Sequence, residues 1–382
     1  MKKLHLIAFT ILSLFSFPMQ AQKLLPAEQE IGLQYGADRL GKRYDAAMQK
    51  FRENRLGAFI HWGLYAIPGG EWNGQVYNGA AEWLKSWAKV PAEEWLQLMK
   101  QWNPQNFDAK KWAKMAKDMG VKYVKITTKH HEGFCLWPSK FTEYTVTNTP
   151  YKKDILGELV KAYNEVGIDV HAERMLKELI PGVTVNSRLR ADDYGKRHFD
   201  SNGHLMGDYE SAYERRLPDP IKDLQVTKWD WEACMTLPEN QWGYHKDWSL
   251  SYVKNPVEVL ERIVHAVSMG GNMVVNFGPQ ADGDFRSEEK EIAKAIGKWM
   301  QKNGECIYAC DYAGWEKQDW GYYTHKKNSV YMIVFNRPYS KQLTVKVPKE
   351  TQIINAVLLN GEKMKVTETA RNEYNVGVPK QD

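Results

Sequence analysis

Cysteine is scarce in this sequence: Cys135, Cys234, Cys306 and Cys310 are four among 382 residues. They are widely spread and form no C-x-x-C pair, which excludes a zinc ribbon, a dithiol redox motif and a disulfide-dense scaffold. Cys306 and Cys310 are close enough in sequence to pair, and free buried thiols are the default for the set. H-E-x-x-H is also missing, and no G-x-G-x-x-G or Walker sequence sits at a strand–helix turn, which removes support for metalloprotease, dinucleotide and phosphate-loop readings. No apolar run is long enough to span a membrane. Charge of one sign is absent as well. With 52 Lys+Arg against 47 Asp+Glu the net charge is +5, which excludes a strongly basic nucleic-acid binder and an acidic solvating chain. Aromatic residues are in excess: 15 Trp, 20 Tyr and 12 Phe. Such rings build large cores, and they also build surfaces that stack on the C–H faces of sugars.

The N-terminus reads as an address. Lys2 and Lys3 precede an apolar stretch from Leu4 to Phe17 without an acidic residue, and Met19-Gln20-Ala21 ends on a small residue before a cut. This pattern predicts a signal peptide over residues 1–21, with export to a periplasmic, secreted or lysosome-like compartment.

Beyond it, helical patterns alternate with short apolar runs. After Asp108, Trp112, Met115, Ala116 and Met119 fall on one helical face and Gly120 stops the helix; Val121 to Thr128 then reads as a buried strand. Asp154 opens a second helix, ended by Gly167 and followed by a strand at Ile168 to Val170. Asn255-Pro256 is an N-cap with proline at the first helical position, and Gly270-Gly271 separates that helix from a strand at Asn272 to Phe277. Repeated alternation means a parallel α/β sheet, closed as a barrel or open, over residues 22–302. From 303 to 382 the pattern changes to short β-rich runs at Val330–Phe335, Leu343–Val347, Ile353–Leu359 and Lys363–Thr367, with Asn360-Gly361 as a hairpin turn; this is a small β-sandwich.

In such barrels chemistry lies at the C-terminal ends of strands, and those ends are polar here. They read as Phe59-Ile60-His61-Trp62-Gly63, Thr127-Thr128-Lys129-His130-His131, Val185-Asn186-Ser187-Arg188, Gly207-Asp208-Tyr209-Glu210 and Asp230-Trp231-Glu232. Three histidines at strand ends point to function. Neighbouring strand residues face opposite ways, so His130 and His131 meet on one ligand only if the strand has already ended. No H-E-x-x-H or cysteine cluster supports a metal, and none is expected.

Three segments carry a resemblance: Phe59 to Gly63, Thr128-Lys129-His130-His131-Glu132-Gly133-Phe134, and Gly270 to Pro279. Together they resemble the α-L-fucosidases of glycoside hydrolase family 29, from about Leu56 to Gly304 and loosely into the β domain. The resemblance implies a (β/α)8-type barrel followed by a β-sandwich, no cofactor, and fucosylated glycans or glycoconjugates as partners. It implies exo-acting removal of terminal α-linked L-fucose by a retaining mechanism with an Asp nucleophile and a Glu acid/base. By the same resemblance His61, His130 and His131 bind fucose hydroxyls, Glu82-Trp83 match a Glu-Trp pair that grips and lines the pocket, Arg188 matches an Asn-x-Arg arginine, and Trp242 is the aromatic wall. Glu71-Trp72 is a second Glu-Trp that competes for that assignment. The acid/base falls on Glu210 or Glu214; Glu214 is favoured because it is placed past the strand, in the loop.

The nucleophile departs from the family pattern. In the family it is an Asp in a short aromatic–Asp segment ending the fourth strand, and nothing of that kind follows Val170, where His171 runs directly into Ala172-Glu173-Arg174-Met175. A helix-plus-strand unit is missing by this reading, about seven strands are countable, and no nucleophile is found. Asp169 is the nearest substitute. The alternative is a catalytically inactive relative that binds fucose.

Overall fold

Capping residues set where the helices begin. The Asp108 carboxylate accepts from the Lys110 and Lys111 N–H groups and starts helix Ala109–Met119, which Gly120 ends at φ +93°. Asp154 does the same for Ile155–Glu165, and Asn255 with Glu258 forms a capping box ahead of Pro256–Ser268. The computed structural model describes residues 7–12, 45–171 and 208–378.

The strands are, in chain order, β1 (Ile7–Leu12), β2 (Leu56–Ile60), the short pair β3 (Glu71–Trp72) and β4 (Gln75–Val76), β5 (Tyr123–Ile126), β6 (Asp169–His171), β7 (Glu210–Glu214), β8 (Trp231–Thr236) and β9 (Asn272–Phe277). The C-terminal set is β10 (Gly321–Lys326), β11 (Ser329–Val334), β12 (Gln342–Lys346), β13 (Asn355–Leu358), β14 (Lys363–Met364), β15 (Val366–Ala370) and β16 (Glu373–Gly377). Six of them form the parallel barrel sheet in the order β6-β5-β2-β9-β8-β7, with helices on its outer face. Among the described residues nothing pairs β6 with β7. Residues 172–207, between β6 and β7 in the chain, lie outside the described residues, and the expected strand near Val185 falls among them.

Several strand boundaries differ from expectation. Val121 to Thr128 shrinks to β5, which ends at Ile126, two residues before the histidine loop. Glu210 was expected to finish a strand and instead starts β7, while Glu214 is its last residue rather than a loop residue. Trp231 and Glu232 likewise start β8. Glu210, Asp230 and Glu232 therefore lie toward the N-terminal end of the sheet, away from the histidines. The reason is that β7 and β8 remain apolar or small well past these acids, so polarity alone marked the wrong end.

Those buried acids belong to a polar network inside the barrel. Lys125 of β5 pairs with Glu232 of β8 across the concave interior, with β2 and β9 between the two strands in the sheet. Lys125 Nζ also donates to the Tyr209 hydroxyl at 2.9 Å, and the Tyr123 hydroxyl donates to Glu232 Oε2 at 2.5 Å. Gly57 makes room for the crossing: a Cβ there would sit 2.5 Å from the Tyr123 ring. Both charges are nearly inaccessible, which is tolerable only because each is paired and hydrogen-bonded.

The C-terminal part is two antiparallel sheets, β10-β11-β1-β13-β14 and β12-β16-β15. Trp315, Trp320, Tyr323, Met332, Leu343 and Val376 fill the space between them, and the Trp320 indole donates to Thr344 O at 2.9 Å. The expected single strand at Lys363–Thr367 is split between the sheets as β14 and β15. Strand β1 comes from the stretch read as a signal peptide and lies between β11 and β13. All four cysteines are free, with Cys135, Cys306 and Cys310 buried.

Candidate active site

β2 and β5 are neighbours, Ile60 opposite Ile126, so the residues after each strand emerge side by side at the C-terminal end of the sheet. His61 follows β2 directly. Because β5 ends at Ile126, the chain through His130 and His131 has left strand geometry and both rings can turn to the same place; their centroids are 4.5 Å apart. The His61 ring lies 5.7 Å from His130. Trp242, on the loop after β8, comes to 5.1 Å from His61, and Trp83 packs at 4.3 Å from His131 with the ring planes 31° apart. Five of the residues singled out in sequence thus form one cluster.

Hydrogen bonds set the histidine chemistry. Asn276 Nδ2 donates to Trp242 O at 2.6 Å, which turns its Oδ1 toward His61 Nδ1, 2.6 Å away. His61 therefore carries its proton on Nδ1 and offers Nε2 as an acceptor. Burial pushes His61 down to about 3, against a smaller opposing effect of the Asn276 bond. Burial, with His61 and His131 nearby, pushes His130 down to about 2. These two rings are neutral at neutral pH, and His130 Nδ1 is buried with no partner among the described residues. Neutral imidazoles that can donate and accept suit hydroxyl groups better than a charged ligand.

Glu82 is the sixth member. Its Oε2 accepts from the Gly243 N–H at 3.0 Å, next to Trp242, while Oε1 is buried without a partner. Burial raises this carboxyl to about 7, opposed by the Gly243 bond and, more weakly, by Arg215. The competing pair is elsewhere: Glu71 and Trp72 are strand β3 of the β3–β4 hairpin, with Glu71 3.5 Å from Lys246 and the Trp72 ring tilted against Trp95 at 5.6 Å. Glu82-Trp83 is the pair that reaches the histidines.

Glu214 stands at the C-terminal end of β7, the correct end of the sheet for chemistry, and Glu210 at the opposite end. The next residue, Arg215, hydrogen-bonds Asn240 on the Trp242 loop, which ties the Glu214 strand end to the aromatic wall. Asp169 fails as a substitute nucleophile. It is the first residue of β6, paired in register with Tyr123 at the start of β5, and its carboxylate binds Lys50 at 2.7 Å at the far end of the barrel. Arg188 lies outside the described residues. No group of His, Cys, Asp and Glu that could hold a metal occurs among the described residues, and none of their helices is long and apolar enough to cross a membrane. A groove between helices Ala109–Met119 and Ser287–Asn303 lies on the outer flank of the barrel and contains none of these residues.

Sequence reasoning missed two partners, Asn276 and Gly243, because both act through side-chain or backbone bonds to residues some 30 to 215 positions away. Asn276 left one signal: an Asn near the end of an otherwise apolar strand.

The α-L-fucosidase family model matches residues 24–179 and 170–305, two stretches that overlap where the nucleophile segment was sought. An α-L-fucosidase of Bacteroides thetaiotaomicron, solved as a trapped covalent intermediate with 2-fluoro-fucosyl fluoride, is 65% identical with a TM-score of 0.88, covering 91% of this chain and 96% of that one. The α-L-fucosidase of Branchiostoma floridae is 27% identical over 379 aligned positions, covering 81% of this chain and 83% of the relative. Human tissue α-L-fucosidase is 27% identical over 376 positions, covering 81% and 80%. Both alignments are longer than the share of the 382 residues they use, so each relative has several dozen positions with no counterpart here.

Proposed function

The chain belongs to the α-L-fucosidase family, and on that premise we propose that His61, His130, His131, Glu82, Trp83 and Trp242 form the pocket for a terminal L-fucose. The family is of exo-acting glycoside hydrolases that release α-linked fucose with retention, and its members act on fucosylated glycans. The observation that carries the pocket assignment is the cluster itself: two neutral imidazoles, a buried carboxylate oxygen without a partner and two indole rings, all within one strand-end site. Imidazole Nε2 and Nδ1 and the Glu82 oxygen meet hydroxyls, and the Trp242 and Trp83 rings meet C–H faces.

In this reading Glu214 protonates the leaving oxygen and later activates water. Retention needs a second carboxylate about 5–5.5 Å away. The carboxylates beside the histidine cluster, Glu82 and Glu132, are each bonded to backbone N–H groups. The family's nucleophile segment belongs between β6 and β7, and the overlap of the two family matches at 170–179 supports its loss there. The proposal is therefore a fucose pocket with turnover far slower than that of complete relatives. L-Fucose should raise the melting temperature while an aryl α-L-fucoside is hydrolysed slowly. No melting shift would refute the pocket, and fast hydrolysis would refute the loss of the nucleophile.

Export through residues 1–21 is part of the proposal. Intact mass of exported protein should begin at or near Gln22; retention of Met1 would instead make β1 a permanent strand of the C-terminal sheet.

A further inference from the structure

Glu132 follows the histidine pair and is half-buried, with both carboxylate oxygens engaged. Its Oε1 accepts from the Leu64 N–H at 2.8 Å, and its Oε2 accepts from the Trp95 indole N–H at 2.8 Å. Leu64 opens the 3₁₀ turn Leu64–Ala66, three residues beyond His61, so the carboxylate sits on the free N–H groups at the start of that turn. Gly63 is shaped for it: a Cβ there would stand 2.4 Å from Glu132 Oε1. Gly63 has extended backbone that any residue can adopt, so the space, not the conformation, calls for glycine. The turn then places the Tyr65 ring 5.3 Å from His130.

We propose that Glu132 is a positioning residue whose carboxylate clamps the strand end carrying His61 to the strand end carrying His130 and His131. The importance of the clamp to sugar binding rests on the pocket reading above; the clamp itself does not. Just past the strand ends Thr127 ties the two loops through Ile60 O and the Trp62 N–H; Glu132 ties them again farther out, at Leu64, and a site built on both loops needs such cross-ties to hold its geometry. Both carboxylate oxygens face N–H donors, so an isosteric amide cannot replace it. Glutamine satisfies one donor and turns its own N–H₂ on the other. Burial raises the carboxyl to about 7, opposed by the Trp95 and Leu64 bonds and weakly by Lys85, so the site bears a cost that two well-formed bonds offset.

The test uses the full chain with Glu132→Gln and Trp95→Phe, the second removing one donor while keeping an aromatic ring. The control is Leu159→Ala, a core change in helix Ile155–Glu165. Imidazole NMR signals of His61, His130 and His131 report the clamp, and L-fucose titration reports the pocket. Glu132→Gln should move the imidazole signals and weaken L-fucose binding about tenfold or more. Trp95→Phe should act in the same direction with smaller size, and Leu159→Ala should lower the melting temperature with both readouts unchanged. Unmoved imidazole signals in folded Glu132→Gln would overturn the proposal, as would affinity loss matched by Leu159→Ala at equal destabilisation. If Glu132→Gln does not fold, unmoved signals in Trp95→Phe overturn it. If the unaltered chain binds no L-fucose, the pocket reading falls and the imidazole signals still decide the clamp.

Discussion

Replacing Lys125 with Met should be among the most damaging single changes in the barrel that leave the surface untouched. Lys125 and Glu232 are 5% and 3% accessible, so the lysine cannot be removed without leaving a carboxylate in the interior. Glu232 would keep only the Tyr123 hydroxyl, one hydrogen bond against the desolvation of a full charge. Breaking a buried pair in this way costs about 3–5 kcal/mol, a large share of the roughly 5–15 kcal/mol that holds a domain folded. The loss should exceed that of an ordinary polar deletion, because the pair joins β5 to β8 across a sheet whose β6 and β7 edges have no described pairing. Urea denaturation followed by tryptophan fluorescence reads the change. Lys125→Met/Glu232→Leu should recover most of it, since the stranded charge is then gone, while neutral bonds such as those to Tyr123 and Tyr209 cost about 1 kcal/mol each. A cost below about 1 kcal/mol for Lys125→Met, or a double variant as unstable as the two single losses added together, would refute the reasoning.

Stability should peak near about pH 6. Glu289, Glu82 and Glu132 are raised by burial to about 8, 7 and 7, above their unfolded values, so the folded chain gains stability on acidification from about 8 toward the ordinary carboxylate range. His61, His130 and His265 are lowered by burial to about 3, 2 and 4, so the unfolded chain takes up protons below about 6.5 and stability falls there. Calorimetric melting across pH 5–9 checks the shape, and Glu289→Gln should flatten its alkaline limb. His130→Ala should weaken L-fucose binding by about 0.5–1.5 kcal/mol, the scale of a neutral hydrogen bond, with little change in melting temperature; titration calorimetry decides, and a large loss of stability at unchanged affinity would make the residue structural.

Much of the barrel was legible because local signals are strong at helix starts. Asp108, Asp154 and Asn255 are caps, and the structure uses each as one. The histidines were legible as a motif, and so was the condition for their convergence, a strand that ends before them; that β5 ends as early as Ile126 was not. Strand ends misled at Glu210 and Glu232, because an acid inside a barrel and an acid at its mouth look alike until the partner across the interior, Lys125, is known. Glu71-Trp72 and Glu82-Trp83 are equal in sequence and were separated only by Gly243 and His131. β10 was missed because Gly-Tyr-Tyr-Thr-His-Lys has no alternation; β16 does alternate, with Tyr374 and Val376 buried, but is only five residues long and was passed over.

A fucose pocket without an efficient nucleophile should bind the sugar and fail at the covalent step. Exposure to 2-fluoro-fucosyl fluoride followed by intact-mass analysis tests it most directly, with a parallel L-fucose melting curve to establish that the pocket is formed. The account predicts a fucose-induced melting shift with little covalent adduct over hours. Rapid, stoichiometric labelling would contradict it, and the labelled peptide would identify the carboxylate that performs the displacement.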